Sequence, residues 1–318
     1  MKEDKIKFMK KGILLIVIFL VIFIALNNYY VIKTSPKKNL DYAFFGDSHV
    51  RDGVNPQFIG NSFNFGVGEE NYVEIYYKIK ELLGRKLLWR REVEINNFVL
   101  QIDIHVFSDK FRTNKALSIE EGHYNKAIPL ISAKKLKTRS ISQLLKSKFP
   151  IIGNGRELIA LSLYLDIVPT KLGWTNNTEE FILKNKEEAV SKRYNYSFSN
   201  PPNLLDNITL SYFLKILDLA KKNHIKIIFI KYPVTKEYDA ELIKHNISKE
   251  DHYDLLFKEI NKVAKDYVLL DYYDDFFDHP EYFGDPDHLN YIGSQILSKK
   301  IQEDLREMSL MPFNEKDV

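Results

Sequence analysis

Short runs of isoleucine, valine and leucine alternate with amphipathic stretches along most of this 318-residue chain. The runs Asn97–Asp103, Ile225–Ile230 and Tyr267–Asp271 are too short for typical helices, and their composition is typical of strands covered on both faces. Strand alternating with helix predicts an α/β sandwich on a mostly parallel sheet, with right-handed crossovers.

Two shorter apolar segments, Tyr42–Phe45 and Ser62–Phe65, bring the predicted sheet to five strands. Apolar residues at three- and four-residue spacing predict helices between and after these strands. The predicted helices are Glu69–Leu83, Asn207–Asn223, Tyr253–Lys265 and Tyr291–Met308. Lys221 and Lys222 at the end of the second helix favour its termination there, because cations stabilise a helix C-terminus.

Charge and cysteine content exclude several classes of function. The chain has 46 basic and 43 acidic residues, a net charge of +3, and no cysteine. This near balance gives no indication of a nucleic-acid partner. A disulfide, a thiolate metal site and a cysteine nucleophile are all impossible.

The N-terminus predicts a membrane anchor. Fifteen uncharged residues, 12–26, follow five lysines, and extension through two tyrosines to Ile32 reaches the roughly 20 residues that cross a bilayer. A cleaved signal peptide is the main alternative, but no small-residue cleavage site follows. We therefore expect a cytoplasmic basic tail (1–11), a transmembrane anchor (12–32), a linker (33–40) and an extracytoplasmic domain (41–318).

One region interrupts the alternation. Residues from about 110 to 205 have a mixed, mostly helical pattern and are too long for a structureless loop. We interpret them as a helical insertion beside the ligand-binding edge of the sheet. It would serve either as a lid or as extra helices packed on the flank.

The turn after the first strand carries a candidate nucleophile. Gly46, Asp47 and Ser48 follow the apolar strand directly, and ligands of open α/β sheets bind outside the carboxyl ends of the strands. Gly-Asp-Ser is also common turn chemistry. On this segment alone, a turn that contains a serine is the simpler interpretation.

The segment before the last helix supplies what such a serine requires. Asp285 and His288 lie three residues apart in the sequence DPDHLN. A serine hydroxyl needs a base to remove its proton, and a histidine needs an acceptor on its other nitrogen. The alternative is a helix-capping loop with His288 on the surface.

These two segments together resemble the SGNH or GDSL hydrolase superfamily, in its membrane-anchored bacterial envelope branch linked to polysaccharide O-acetylation. The resemblance covers the core but not the insertion. It implies a flavodoxin-like three-layer αβα sandwich with Ser48 as nucleophile, His288 as base and Asp285 as orienting acid. It also implies ester hydrolysis or acyl transfer without metal or organic cofactor.

The family's oxyanion donors are harder to place. A glycine after the second strand contributes one N–H, and Gly66 or Gly68 would fill that position, with Gly66 preferred. An asparagine normally follows the third strand, but here Asp103 and His105 stand at that strand end. A carboxylate would repel an oxyanion, whereas a histidine could donate to it.

Two smaller features have competing interpretations. His49, beside the serine, is either a substrate contact or a residue packed at the turn. The acidic cluster Asp271, Asp274, Asp275 and Asp278 matches no metal-ligand spacing, and a solvated loop is expected.

The expected function is that of a membrane-anchored extracytoplasmic serine esterase or O-acyltransferase. Its substrate would be an acylated cell-envelope or exported polysaccharide, or another ester. The resemblance further implies a membrane acyl-transfer complex as a partner. The alternative is a non-catalytic relative that binds glycan or scaffolds an envelope complex.

Overall fold

A computed structural model describes residues 10–19, 21–22, 39–84, 93–113 and 186–310. Residues 10–19 and 21–22 are helical, and the apolar side chains resolved there are exposed. Within the described ranges, none of the helices combines the length and the apolarity needed to span a bilayer. Residues 20 and 23–32 of the predicted anchor lie outside the described residues, and the anchor stays a prediction.

Five parallel strands form one sheet in the order β2-β1-β3-β4-β5. They are β1 (Asn39–Phe45), β2 (Ser62–Asn64), β3 (Glu94–Gln101), β4 (Lys226–Lys231) and β5 (Tyr267–Asp271). This order is that of flavodoxin-like sheets, in which the order of strand addition reverses between the strands here called β1 and β3. The α/β prediction is confirmed, and the sheet is wholly parallel within the described chain.

Helices cover both faces of this sheet. They are α1 (Ser48–Gly53), α2 (Tyr72–Leu83), α3 (Asp109–Thr113), α4 (Lys186–Ser197), α5 (Asn207–Lys222), α6 (Lys236–Lys244), α7 (Lys249–Ile260) and α8 (Tyr291–Leu310). One face packs against α2, α5 and α7, and the other against α1 and α8. Alternate strand residues separate accordingly, with Phe45 in the first layer and Phe44 in the second. The three-layer sandwich follows from this alternation.

Capping side chains set several helix boundaries differently from the predicted ones. Helix α2 begins at Tyr72 because Asn71 and Glu74 form a capping box. Helix α7 begins at Lys249, four residues before the predicted start, because the Ser248 hydroxyl accepts from the Asp251 N–H. Short helices α1 and α6 were not predicted as separate elements.

The predicted insertion is described only at its two ends. Helices α3 and α4 belong to it, and residues 114–185 lie outside the described residues. Helix α4 packs against α6 and α3, and buries Val190 and Tyr194 in the core beside the sheet. This part of the insertion therefore lies beside the carboxyl edge of the strands.

Candidate active site

Strand β1 and helix α1 place Ser48 at the carboxyl edge of the sheet. A side chain at Gly46 would overlap Gln101 and Val50, so the turn needs glycine there. Asp47 Oδ1 accepts from the His49 N–H at 2.9 Å and caps α1. Ser48 is the first residue of this helix, where N–H groups have no intrahelical partner. Its side chain is held at the edge with only 7% of the residue exposed.

His288 is placed by a closed loop before α8. Phe283 and Leu289 form an antiparallel bridge, and the Gly284 N–H donates to the His288 carbonyl at 2.9 Å. Asn290 ties the loop to the helix, because its Oδ1 accepts from the N–H groups of Ile292 and Gly293. The sequence DPDHLN thus forms both the capping loop and a fixed position for the histidine.

The two segments meet across the sheet edge. Ser48 Oγ lies 2.6 Å from His288 Nε2, and His288 Nδ1 lies 2.7 Å from Asp285 Oδ2. Asp285 Oδ1 also accepts from the backbone N–H of His288 at 2.9 Å. With a carboxylate at Nδ1, the neutral imidazole keeps its proton there and offers Nε2 to the hydroxyl. This geometry permits Ser48 to give up its proton to His288.

A second carboxylate, Asp287, lies on the buried side of the same histidine. Its Oδ2 accepts from Arg193 Nε at 2.5 Å, and its Oδ1 lies 3.2 Å from His288 Nδ1. The Asp287 side chain is fully buried, whereas that of Asp285 is 45% exposed. Arg193, on α4, also brings Nη2 to 3.4 Å from His288 Nε2. The insertion therefore contributes a cation to the site.

Beneath Ser48, two Asp-x-His segments are paired with each other. Asp47 Oδ2 lies 2.7 Å from His105 Nε2, and Asp103 Oδ2 lies 2.8 Å from His49 Nδ1. The two imidazole rings lie 4.5 Å apart. We call these four side chains the cross-paired network. It joins the ends of β1 and β3 in the buried interior.

Asp103 has a full set of internal partners. Its Oδ2 also accepts from Gln101 Nε2 at 2.7 Å, and its Oδ1 accepts from the Tyr232 N–H at 2.9 Å. His49 Nε2 lies 3.3 Å from Asp287 Oδ2, and Asp287 in turn contacts His288. His49 therefore connects the cross-paired network to His288. Asp103, His105 and His49 were candidates for contact with substrate or oxyanion, with packing at the turn as the alternative for His49. The structure places all three in buried contacts below Ser48, and a contact with substrate stays a prediction.

Charge pairing controls protonation throughout this site. Burial alone would lower the pKa of His288, but Asp285 and Asp287 outweigh it and raise the pKa to about 9. Burial likewise opposes the charge of His49, yet Asp47 and the hydrogen bonds from Asp103 and Asp287 raise its pKa well above the usual range. Burial would raise the pKa of Asp287, and Arg193 and His288 hold it well below its usual range.

The glycines after β2, the predicted oxyanion donors, lie in a buried loop. The Gly66 N–H donates to Asn64 Oδ1 at 2.8 Å, and an oxyanion would have to displace this bond. A Cβ at Gly66 would lie 2.5 Å from the backbone nitrogen of Arg51, so close packing against α1 explains the glycine. Gly68 is also buried in this loop. The donor role of either glycine stays a prediction.

Two triplets in the described residues have ligand atoms close enough for a metal ion. They are Asp47, His49 and His105, and His49, Asp287 and His288. The short Asp47–His105 and His49–Asp103 contacts already occupy several of these atoms. An ion would therefore have to replace existing hydrogen bonds.

Sequence reasoning missed three contributors to the site. Asp287 lies between Asp285 and His288 in the sequence, and its position next to His288 was the signal that could have identified it. Gln101 ends β3, where its side-chain Oε1 accepts from the Asp47 N–H at 2.8 Å. Arg193 lies about 95 residues from His288 in the chain, and no local pattern marked it.

Comparison with known proteins gives only weak structural similarity. No protein-family model matches the chain, and no curated protein matches it. A Streptococcus pneumonia structure provisionally named a platelet activating factor is 11% identical, with a TM-score of 0.42 over 93% of this chain and 99% of its own. A provisionally named acylhydrolase from Bacteroides fragilis is 11% identical, with a TM-score of 0.39 over 89% and 94%. At these TM-scores neither structure assigns a role to any residue here.

Proposed function

We propose that this protein is a serine enzyme that cleaves esters through an acyl-enzyme, with Ser48 as nucleophile, His288 as base and Asp285 as the orienting carboxylate. One observation carries the proposal. Ser48 Oγ, His288 and Asp285 form a continuous hydrogen-bonded line, with contacts of 2.6 Å and 2.7 Å, at the carboxyl edge of a parallel sheet. That edge is where ligands bind in open α/β folds.

The chemistry follows from the roles of these atoms. Ser48 Oγ attacks the carbonyl carbon while its proton moves to His288 Nε2, and the carbonyl electron pair becomes an oxyanion. When the oxyanion collapses, the C–O bond to the leaving alcohol breaks and His288 returns the proton to that oxygen. The acyl group is then transferred to water, or to a hydroxyl of an acceptor, by the same steps in reverse.

The proposed setting is the outer side of a bacterial cytoplasmic membrane, with acylated polysaccharide as the substrate. The lysine-flanked apolar segment at residues 12–32 supports the membrane part of this proposal. The polysaccharide follows only from the family resemblance. Cell fractionation of the full-length chain, with protease accessibility from the outside, tests the location, and loss of acetyl groups from isolated polysaccharide tests the substrate.

Serine-directed labelling tests the nucleophile. Full-length protein is treated with a fluorophosphonate and, separately, with a chromogenic acetyl ester. We expect Ser48→Ala to abolish labelling and to reduce turnover by about 10⁴-fold or more, because the nucleophile is removed. Ser62→Ala is the matched control, since Ser62 is also buried but its hydroxyl only donates to the Ile59 carbonyl. Turnover that survives Ser48→Ala would contradict the proposal.

The binding-protein alternative has one observation in its favour. The Gly66 N–H is bonded to Asn64 Oδ1, so this predicted oxyanion donor is already engaged. A protein of this kind would bind glycan and neither label with fluorophosphonate nor turn over the ester. The labelling experiment therefore separates the two functions.

A further inference from the structure

We propose that Arg193 provides the oxyanion-stabilising charge that the carboxyl edge of the sheet lacks, so that helix α4 completes the active site. This inference rests on the proposed function and names a further catalytic residue for the same reaction. Its ligand is the anionic oxygen of the tetrahedral intermediate on Ser48.

Arg193 lies at the reacting atoms. Its Nη2 is 3.4 Å from His288 Nε2, and that nitrogen is 2.6 Å from Ser48 Oγ. The oxygen of an acyl group on Ser48 lies two bonds beyond Oγ, so the new charge can develop beside the guanidinium. The Arg193 side chain is 17% exposed, so the guanidinium is mostly removed from solvent.

The guanidinium is already held in this position. Arg193 Nε donates to the buried carboxylate of Asp287 at 2.5 Å, which leaves the Nη groups directed to other partners. The Tyr196 ring lies 5.5 Å from the guanidinium carbon. Helix α4 is itself fixed by its buried Val190 and Tyr194. Preorganised donors of this kind stabilise a developing charge without the cost of reorganisation.

The charge of Arg193 is permanent. Burial alone would lower its pKa, but Asp287 and Asp285 raise the pKa above the usual value. A cation stabilises an oxyanion more strongly than a neutral amide does in a water-poor site. Arg193 can therefore compensate for Asp103, which stands at the strand end where a neutral donor was expected, and for Gly66, whose N–H is already bonded to Asn64.

A second arginine of the insertion, Arg112, also pairs with a carboxylate, but this pair lies away from Ser48 and His288. Arg112 Nε donates to Asp206 Oδ2 at 2.7 Å, and its side chain is 16% exposed. Asp206 caps α5 by accepting from the Thr209 N–H, so this pair holds two helices together. If Arg193 were only structural, substitution of either arginine would have similar consequences.

The test compares Arg193→Gln, Arg193→Lys and the control Arg112→Gln in the full-length protein, with p-nitrophenyl acetate as a neutral substrate. We expect Arg193→Gln to lower kcat by about 10²–10³-fold with KM changed little, as for loss of one oxyanion donor. Arg193→Lys should recover part of the loss. Arg112→Gln should leave kcat within about threefold of the parent. Thermal unfolding of each variant confirms that it is folded.

A pH profile measures whether the charge of Arg193 acts on His288 in the folded protein. The charged or titratable groups facing His288 are Asp285 and Asp287 of its own loop, His49 of α1 and Arg193 of α4. Since Arg193 opposes protonation of His288, its removal raises the pKa of His288. The acid limb of kcat/KM should therefore move to higher pH in Arg193→Gln and stay near the parent position in Arg193→Lys.

The outcomes separate this inference from the proposed function. If Ser48→Ala loses turnover but Arg193→Gln retains kcat, or raises only KM, then the role of Arg193 is overturned and the nucleophile stands. If the parent protein neither labels with fluorophosphonate nor turns over the ester, both proposals fall. A matching loss of kcat in Arg112→Gln would make the effect structural and would also overturn the inference.

Discussion

Two Asp-x-His segments end neighbouring strands of the same sheet, yet only one carries a candidate nucleophile. Asp47-Ser48-His49 follows β1, and Asp103-Ile104-His105 follows β3. Each carboxylate pairs with the histidine of the other segment, at 2.7 Å and 2.8 Å. The outer residues of the two segments are therefore equivalent in chemistry, and the difference lies in the middle residue and in the turn that follows.

The middle residues point to different environments. Ser48 begins helix α1 and lies 2.6 Å from His288 Nε2. Ile104 begins a short 3₁₀ helix and packs in the core cluster beside the sheet. The same pattern thus yields a reactive position in one place and a packed one in the other. The hydroxyl of Ser48 and the loop that brings His288 across the sheet together make the first position reactive.

The largest expected effects come from truncating the middle residues. Ser48→Ala should lose about 10⁴-fold or more of turnover while folding normally, because it removes the nucleophile and little buried area. Ile104→Ala should cost about 2–5 kcal/mol in free energy of unfolding, because it leaves a cavity in the core. Urea unfolding and ester turnover measured on both variants check the contrast. Equal stability losses in Ser48→Ala and Ile104→Ala would contradict the expected difference between the two positions.

Neutralising the cross-paired network should reduce stability about as much as Ile104→Ala does. Asp103→Asn leaves the buried, protonated His49 with one of its carboxylate partners removed, and loss of one member of a buried pair costs about 3–5 kcal/mol. Urea unfolding at neutral pH measures this. The exposed pair of Lys222 and Asp218 provides the control, since Asp218→Asn should change stability by no more than about 0.5 kcal/mol. An Asp103→Asn loss as small as the control would show that the network does not hold the two segments together.

The smallest expected effect is a shift in pH dependence. A base must be neutral to accept a proton, and the pKa of His288 is raised to about 9, so kcat/KM should rise as the pH rises toward about 9. Asp285→Asn removes the orienting carboxylate, so turnover should fall sharply. It also removes the strongest charge that raises this pKa, so the acid limb of the residual activity should move to lower pH by about one unit, with Asp287 retaining part of the effect. An unmoved limb would assign the titration to another group.

Much of the fold and the three residues of the proposed triad could be predicted from local signals. Period and composition identified five strands, because strands covered on both faces are continuously apolar. The serine after the first strand and the Asp-x-x-His spacing before the last helix, taken together with the family resemblance that they carry, selected Ser48, Asp285 and His288, which are brought into contact. The helix boundaries were less predictable, because caps such as Ser248 compete with the apolar pattern.

The sequence by itself determined the order of strands and helices and the chemistry available at the carboxyl edge of the sheet. Only the tertiary structure decided that Asp103 binds His49, that Asn64 occupies the Gly66 N–H, and that Arg193 reaches His288 from a distant helix. The physical reason is the range of the interactions. Propensity and periodicity act over a few residues, whereas buried charges are stabilised by whichever partners the packed elements bring within a few ångströms.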